Sequence, residues 1–427
     1  MRQQRGHLLV NAALAILLFL TNGICASPRS SQRLRRLSSA KAGKEHLHAG
    51  FVHNSNSTSQ GSYDGGYIYN DEQATIHEDA TASNRKCNMS TLQHETALRQ
   101  LILTITPQDV LDTITSPQSK AFHWLVYEDA IVPPLCPPSL DDIHVDGGYA
   151  RAVMLLERYA MIAFYYATNG DDWKECSAST INNLCTRTIT AQSSEVLSFV
   201  IEQAFGDDTS TTQHGRKIGT ESWLSDTPTC DWGGVGCSYT TDGNNNQGYY
   251  TIDQIEFEDN NLVGTLLPEL STLHNLKFLI LEKGHLFGPI PSSYGSLSNL
   301  RVLDMDYNQL TGNLSIELYD LVELRELDLN DNQLSGTIGT EIGRLSELVY
   351  LQVDNNAFEG NIPVEFGGLN ELVWAVFHGN NFTGEMPLSV CENRNETSNQ
   401  KITILTADCL EDGPVVCSCC DYCGEPL

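Results

Sequence analysis

Residues 324–347 read LRELDLNDNQLSGTIGTEIGRLSE, and this pattern recurs along the middle of the chain. Its leading leucine returns every 24 residues, at Leu276, Leu300, Leu324, Leu348 and Leu372. Within the quoted unit, Leu327 and Leu329 alternate with charged and polar residues, so one face of a short strand is apolar and the other is wet. One unit cannot bury its apolar face alone. We therefore expect the units to stack as a solenoid with a parallel sheet on its concave side.

An asparagine recurs where the chain turns away from each strand. Its side chain can replace missing backbone partners, so we expect an inward ladder of hydrogen bonds along the solenoid. The ladder positions are Asn260, Asn308, Asn332, Asn356 and Asn380. Gly284 takes this position in one unit, where we expect a bridging water or a distorted turn.

The first 26 residues have the pattern of a secretory signal. Arg2 and Arg5 precede an apolar run over residues 8–20, and small residues follow at positions 23–26. The apolar run is shorter than the roughly 20 residues that span a bilayer comfortably. We expect removal of residues 1–26 and a secreted, extracellular product. The alternative is retention of the segment as a membrane anchor.

Composition divides the rest of the chain. Residues 27–86 are poor in large apolar side chains and predict a disordered tail. Residues 51–427 hold 17 of the 25 basic residues and 53 of the 54 acidic residues, a balance that argues against nucleic-acid binding. We expect a helical N-terminal cap region over residues 87–238, the solenoid with about six repeats over 239–390, and a cysteine-rich C-terminal cap over 391–427.

Helical spacing of apolar residues predicts three helices in the cap region. The first begins near Ser90 and stops before Pro107, the second starts at Ser116, and the third runs from about residue 150 to residue 168. Aromatic residues follow at the end of the third helix, among them Trp173. We interpret these rings as a packing face rather than a ligand site.

Cysteines and glycosylation acceptors support an exported chain. Thirteen cysteines become twelve, an even number, when Cys25 leaves with the signal. Asn-x-Ser/Thr acceptors lie at Asn56, Asn88, Asn313, Asn381 and Asn395. The sequence thus predicts a disulfide-bonded glycoprotein.

A cap motif precedes the first repeat. Residues 230–237 read CDWGGVGC, and this C-x-W-x-G-V-x-C motif resembles the N-terminal cap of plant-type extracellular leucine-rich-repeat proteins. Residues 159–173, YAMIAFYYATNGDDW, look like the cap of secreted algal, diatom-like members of that family. The resemblance implies a disulfide between Cys230 and Cys237, and Trp232 as a plug over the open end of the core. It covers about residues 150–427.

The expected fold class is therefore an α/β solenoid. The resemblance implies a right-handed leucine-rich-repeat solenoid with a parallel concave sheet, a helical N-terminal cap and a cysteine-rich C-terminal cap. The cap contains the run Cys417, Cys419, Cys420 and Cys423, which resembles the tail of the algal members. Zinc ligation is the alternative, but thiols oxidise outside the cell, and we favour disulfides. Pairing within this run stays open.

Catalytic and metal-binding motifs are not apparent. His94 and Glu95 begin like a zinc protease motif, but Leu98 stands where the second histidine is required. Asp304 and Asp306 imitate the start of a calcium loop, but Gln309 replaces its glycine. Another ligand of that loop is lost because Ser315 replaces its closing glutamate. We expect neither an enzyme nor a resident metal or cofactor.

The concave face remains as the candidate site. It combines acidic residues in the earlier units with aromatic residues in the later ones, a surface that suits a basic or sugar-bearing partner. The candidate ligand-binding residues are Glu256, Glu258, Asp304, Asp306, Asp328, Tyr350, Asp354, Trp374 and His378. Exposed aromatic side chains usually mark contacts, so Trp374 and Tyr350 carry most weight.

Two functions remain open at this point. The first is a secreted, non-catalytic recognition module that binds an extracellular protein, peptide or glycan on the concave face. Members of the family recognise such partners. The second is an extracellular structural or adhesive glycoprotein without a discrete ligand. A membrane contact is expected only if the signal segment is retained.

Overall fold

The computed structural model describes residues 91–130, 148–178, 185, 217–241, 248–394, 402–409 and 413–423, all within one compact unit that spans Asn84–Leu427. The predicted signal, the predicted tail and the acceptors Asn56, Asn88 and Asn395 lie outside the described residues. Among the helices that the structure describes, none combines the length and apolar character that crossing a membrane requires.

A long sheet lines the concave side of the solenoid, and the described residues contribute ten strands to it. In sheet order these are Lys217–Ile218, Val235–Thr241, Gly248–Glu258, Phe278–Glu282, Val302–Asp304, Glu326–Asp328, Tyr350–Gln352, Trp374–Val376, Ile404–Ala407 and Tyr422–Cys423. The first two pairings are antiparallel and all later ones are parallel. The predicted α/β solenoid with a parallel sheet is therefore confirmed.

A second sheet runs along the other side of the repeats and was not predicted. Its described strands, in sheet order, are Val415–Val416, Asn381–Glu385, Ala357–Asn361, Gln333–Gly336, Gln309–Gly312, His285–Gly288 and Val263–Thr265. Short 3-10 helices close each unit at Pro268–Thr272, Ser292–Ser296, Ile316–Asp320, Thr340–Arg344 and Val364–Gly368. Each unit therefore contributes one strand to each sheet.

The core lies between the two sheets and follows the repeated leucines. Leu327, Leu329 and Leu334 of the quoted unit are all buried, and their counterparts in the other units join them in one apolar cluster. Each fully buried leucine contributes roughly 1.5–3 kcal/mol relative to an exposed one. Because neighbouring units share this cluster, the solenoid is stabilised by stacking rather than unit by unit.

Asparagine side chains bridge successive units along the core. The Asn332 side-chain oxygen accepts a hydrogen bond from the Leu310 backbone N–H at 2.9 Å, and its Nδ2 donates to the Met305 carbonyl at 2.9 Å. Asn308, Asn356 and Asn380 repeat both kinds of contact one unit earlier or later. Asn260 instead bonds the backbone of Glu175 in the cap, which joins the cap to the first unit.

The turn at Gly284 differs from our expectation. The residue before it, Lys283, has φ 52°, close to φ 48° at Tyr307 and 50° at Asp331 in the following units. The turn is therefore regular rather than distorted. A Cβ at position 284 would lie 2.8 Å from Oδ1 of Asn308, so the neighbouring ladder side chain leaves no room for a larger residue.

Helices form the N-terminal cap. They are α1 (Thr91–Ile102), α2 (Gln108–Asp112), α3 (Pro117–Tyr127) and α4 (Gly148–Ala167). The Ser116 hydroxyl accepts the Ser119 backbone N–H at the start of α3, and Asn169 adopts φ 56° just past the end of α4. The short helix α2 was not predicted, because five residues give too little periodicity.

The cap closes the solenoid around a buried arginine. Arg158 of α4 ion-pairs Asp129 with Nε 2.6 Å from Oδ2, and both side chains are almost inaccessible to solvent. Its guanidinium also lies 4.6 Å from the centre of the Trp232 ring, which is fully buried. The rings of Phe164, Tyr165, Trp173, Trp223 and Phe257 pack together beside it. This aromatic cluster is core.

Disulfides secure both ends of the described chain. Cys230 bonds Cys237, and Cys176 bonds Cys185, in the N-terminal cap. At the other end the pairs are Cys391 with Cys419, Cys409 with Cys423, and Cys417 with Cys420. The disulfide interpretation of the C-terminal run is therefore confirmed over zinc ligation, because paired sulfurs are not thiolate ligands. Three strands (Ile404–Ala407, Val415–Val416 and Tyr422–Cys423) and the short helix α5 (Leu388–Glu392) complete this cap.

Candidate functional site

The register of the long sheet brings candidate residues from separate units side by side. Asp304 pairs with Asp328, which pairs with Gln352, and Glu326 pairs with Tyr350, which pairs with Trp374. Neighbouring strands lie about 4.8 Å apart, so residues separated by 24 positions in sequence touch in space. The acidic and aromatic parts of the face therefore meet near Glu326.

Four carboxylates gather in the middle of the face, and we name them the acid cluster: Asp304, Asp306, Glu326 and Asp328. One oxygen from each of the three aspartates lies within 4.8 Å of those of the other two. Glu326 shares a strand and a face with Asp328, two residues apart. Glu326 was not among the predicted site residues, because no local pattern around it indicates burial beside aspartates of two units.

The acid cluster is buried rather than open. Asp304 is 3% exposed, Asp328 5% and Glu326 2%, whereas the sequence analysis treated this surface as accessible. That expectation was wrong, and one physical cause is the close spacing of the strands, because side chains of one column shield those of the next.

Burial changes the acidity of the cluster. It raises the pKa of Asp306 to about 8 and the pKa of Asp328 to about 7, in each case with nearby carboxylates adding to the effect. The pKa values of Asp304 and Glu326 also rise well above their usual range, first because of burial and then because of the Asp328 charge. A buried carboxylate loses hydration, and its neighbours here carry the same charge. Ionising the cluster therefore costs free energy, and the raised pKa values favour its protonated carboxyl groups.

Hydrogen bonds satisfy part of the cluster. Oδ1 of Asp304 accepts the backbone N–H of Asp306, and Oδ2 of Asp328 accepts from Nε2 of Gln352 at 2.5 Å. Within the described residues, both side-chain oxygens of Glu326 and Oδ1 of Asp306 have no hydrogen-bond partner. The face therefore contains acceptor atoms that the described chain leaves unsatisfied.

Two aromatic rings flank the acid cluster, and we name Tyr350 and Trp374 the aromatic pair. Their ring centroids lie 5.5 Å apart with 26° between the ring planes, in a stacked arrangement. Both side chains are half-buried, so the expectation of exposed rings was wrong for the same reason as for the acids. The indole Nε1 of Trp374 has no hydrogen-bond acceptor among the described residues.

His378 and Asp354 lie beside the aromatic pair. Nδ1 of His378 lies 2.9 Å from the Thr406 hydroxyl, and its Nε2 lies 3.5 Å from Oδ2 of Asp354. Burial lowers the pKa of His378 and raises the pKa of Asp354 to about 7. The imidazole is therefore mostly neutral near pH 7 and supplies a polar edge rather than a positive charge.

The remaining predicted acids lie at the N-terminal end of the face. Glu258 accepts from the ammonium of Lys283 at 2.5 Å, and Lys283 also lies 3.5 Å from Glu282. Glu256 accepts from Nε2 of Gln254 at 2.6 Å. These contacts supply local partners to Glu256 and Glu258, in contrast to Glu326.

Comparison with known proteins agrees with the repeat architecture. The Leucine Rich Repeat family profile matches residues 299–321 and 323–345. The ectodomain of the receptor kinase SOBIR1 from Arabidopsis thaliana is 29% identical over 37% of this chain and 86% of its own, with a TM-score of 0.36. The BIR2 ectodomain from Arabidopsis thaliana is 30% identical over 38% of this chain and 83% of its own, with a TM-score of 0.32.

A longer receptor ectodomain matches over part of its length. The ectodomain of the plant membrane receptor kinase GASSHO1/SCHENGEN3 from Arabidopsis thaliana, solved in complex with CASPARIAN STRIP INTEGRITY FACTOR 2, is 34% identical over 36% of this chain. The match spans 18% of that ectodomain, with a TM-score of 0.33. The comparison with curated proteins finds no match.

The 24-residue period, the parallel sheet, the asparagine ladder and the matched profile define one class of protein. The chain belongs to the leucine-rich-repeat proteins, and its repeats are of the plant type.

Proposed function

We propose that this chain is a secreted, non-catalytic recognition module that binds an extracellular partner on its concave face. The partner is a protein, peptide or glycan that offers positive charge or hydrogen-bond donors to the acidic residues and a flat surface to the aromatic pair. The subgroup that fits best is the secreted algal members with a cysteine-rich tail.

The aromatic pair is the observation that carries this proposal. Tyr350 and Trp374 stack on each other at one end of the acid cluster, and both side chains keep part of their surface accessible. Aromatic side chains are frequent at binding hot spots, where they supply a large apolar contact area. Adjacent carboxylates would steer a basic group toward the rings.

The setting of the site supports an extracellular role. The described disulfides are typical of oxidising compartments. The side chains of Asn313 and Asn381, which stand in acceptor motifs, are exposed beside the second sheet, where attached glycans would not cover the concave face. The matched ectodomain that was solved with CASPARIAN STRIP INTEGRITY FACTOR 2 belongs to another protein, and we do not infer that partner here.

A screen tests the proposal. The full-length secreted protein is presented to arrays of glycans and of basic extracellular peptides, with calcium and with a chelator. We expect saturable binding of at least one member, weakened by Asp306→Lys and unchanged by Glu359→Lys, whose site is exposed at the second sheet. Weak association that varies only with salt would contradict recognition and favour a structural or adhesive glycoprotein.

A further inference from the structure

The acid cluster offers a set of ligand atoms that fits a metal ion. One carboxylate oxygen each from Asp304, Asp306 and Asp328 lies within 4.8 Å of the other two. Oxygen ligands of calcium lie about 2.4 Å from the ion, so opposite ligands are about 4.8 Å apart. The three oxygens are therefore close enough to share one coordination shell.

Glu326 gives independent support for a ligand at this place. Glu326 is only 2% exposed to solvent. Neither of its carboxylate oxygens has a hydrogen-bond donor in the part of the chain that the structure describes. A buried carboxylate without a partner is strongly unfavourable. The charges of Asp328, Glu282 and Asp306 act on Glu326 and oppose its ionisation. A cation held by the three aspartates would supply a partner to the unpaired oxygen of Asp306 and would offset the charge of Glu326.

Basic side chains do not fill this role. Across the described residues, none of the four carboxylates of the acid cluster forms an ion pair with lysine or arginine. Lys283 lies nearby, but its ammonium contacts Glu258 and Glu282. Among the described residues, the acid cluster therefore has no lysine or arginine paired with it.

The chemistry of the ligands selects the kind of ion. Carboxylate oxygens favour hard cations over zinc or copper, which prefer sites with histidine or cysteine. Calcium accepts six to eight oxygens in a flexible geometry, whereas magnesium demands a near-ideal octahedron and dehydrates reluctantly. Four carboxylates from two units, three of them buried and that of Asp306 half-buried, suit calcium better.

We propose that Asp304, Asp306, Asp328 and Glu326 bind one calcium ion on the concave face. Asp304 and Asp306 come from one repeat, and Glu326 and Asp328 come from the next, so the ion links two units of the solenoid. The calcium-loop motif does not detect this set, because that motif requires all ligands within one short loop and these residues come from two repeats. The inference goes beyond the proposed function, since it requires no partner.

Calorimetric titration of the full-length secreted protein with calcium chloride tests the proposal. At about 0.15 M ionic strength, which weakens diffuse attraction to acidic surfaces, we expect one saturable site. Glu326→Gln and Asp304→Asn should each weaken calcium binding by about tenfold or more, because each removes one charged ligand. Glu359→Gln removes one exposed charge from the second sheet and should leave the affinity unchanged.

Luminescence of terbium, which replaces calcium at oxygen sites, locates the ion. Trp374 stacks on Tyr350, and Tyr350 pairs with Glu326, so excitation of tryptophan should give terbium emission that calcium displaces. Both substitutions remove a repelling carboxylate, so the variants should fold, and their thermal midpoints without calcium should equal or exceed that of the wild type.

Two results would overturn the proposal: no saturable calcium binding by the wild type, or unchanged affinity in Glu326→Gln and Asp304→Asn. Magnesium that binds as tightly as calcium would overturn the choice of ion. No partner is present in these measurements, so their failure leaves the recognition proposal standing, and a negative partner screen leaves the calcium result standing.

Discussion

The rings of Tyr350 and Trp374 stack 5.5 Å apart although 24 residues separate them in the sequence. Their strands pair in parallel, with Tyr350 directly opposite Trp374 and Glu326 on the other side of Tyr350. Two successive intervals of the repeat therefore place an acidic residue, a phenol and an indole in a row. This row is the basis of the recognition that we propose.

Replacement of a ladder asparagine should lower the free energy of unfolding. Asn332→Ala leaves the Leu310 N–H and the Met305 carbonyl without their side-chain partner inside the core. Unsatisfied buried groups cost about 1–3 kcal/mol each, so we expect a loss of about 2–4 kcal/mol in the free energy of unfolding. Denaturant unfolding measures this loss. Gln333→Ala, at the exposed neighbouring position, is the control and should change stability by less than about 0.5 kcal/mol.

The cap should depend on the buried arginine. Arg158→Met leaves the Asp129 carboxylate buried without its guanidinium partner, and we expect a loss of about 3–5 kcal/mol in the free energy of unfolding. Arg344→Met breaks an exposed ion pair with Asp320 and should cost about 0–1 kcal/mol. Thermal or denaturant unfolding compares the two. Equal effects would show that burial of the Arg158 pair has no energetic consequence.

Glu157 of α4 should make stability depend on pH. Burial raises the pKa of Glu157 to about 8 from an ordinary value of 4.5, with partial offset by the Ile252 backbone N–H. The folded protein then holds a proton that the unfolded chain releases. The contribution of the protonated Glu157 side chain to the free energy of unfolding is complete below pH 4.5 and is lost as the pH rises through about 8.

Glu157→Gln tests that dependence because the amide cannot ionise. We expect the variant to match the wild type near pH 4 and to exceed it by a few kcal/mol above pH 8, since one pKa unit corresponds to about 1.4 kcal/mol. Unfolding by urea at several pH values measures the difference. Parallel curves for the two proteins between pH 4 and pH 9 would refute a raised pKa.

Much of the architecture was predictable from short-range pattern. The 24-residue period predicted the stacked units. Asn332 and its equivalents occupy the turns that follow the strands of the long sheet. The long sheet follows from alternation at Leu327 and Leu329. The second sheet was missed because its strands, such as Gln333–Gly336, contain a single buried apolar residue beside glycine and polar residues, so no apolar alternation is visible.

The site was less predictable because it depends on neighbours distant in sequence. Glu326 has the same local sequence context as any exposed glutamate of a strand, and only the pairing with Val302 and Tyr350 places it among buried carboxylates. Arg158 and Asp129 meet across 29 residues, and no periodic pattern links them. Burial of the acidic face, unlike its composition, required the three-dimensional arrangement.

The most direct test of recognition by the concave face is an affinity measurement. The best ligand from the screen is titrated against matched variants. Trp374→Ala removes one ring of the aromatic pair, whereas Val364→Ala shortens a side chain that is 60% exposed on a 3-10 helix away from the concave sheet. We predict a loss of about tenfold or more, or 1.4 kcal/mol, for Trp374→Ala and no significant loss for Val364→Ala. Unchanged affinity in Trp374→Ala, or an equal loss in both variants, would contradict recognition by the concave face.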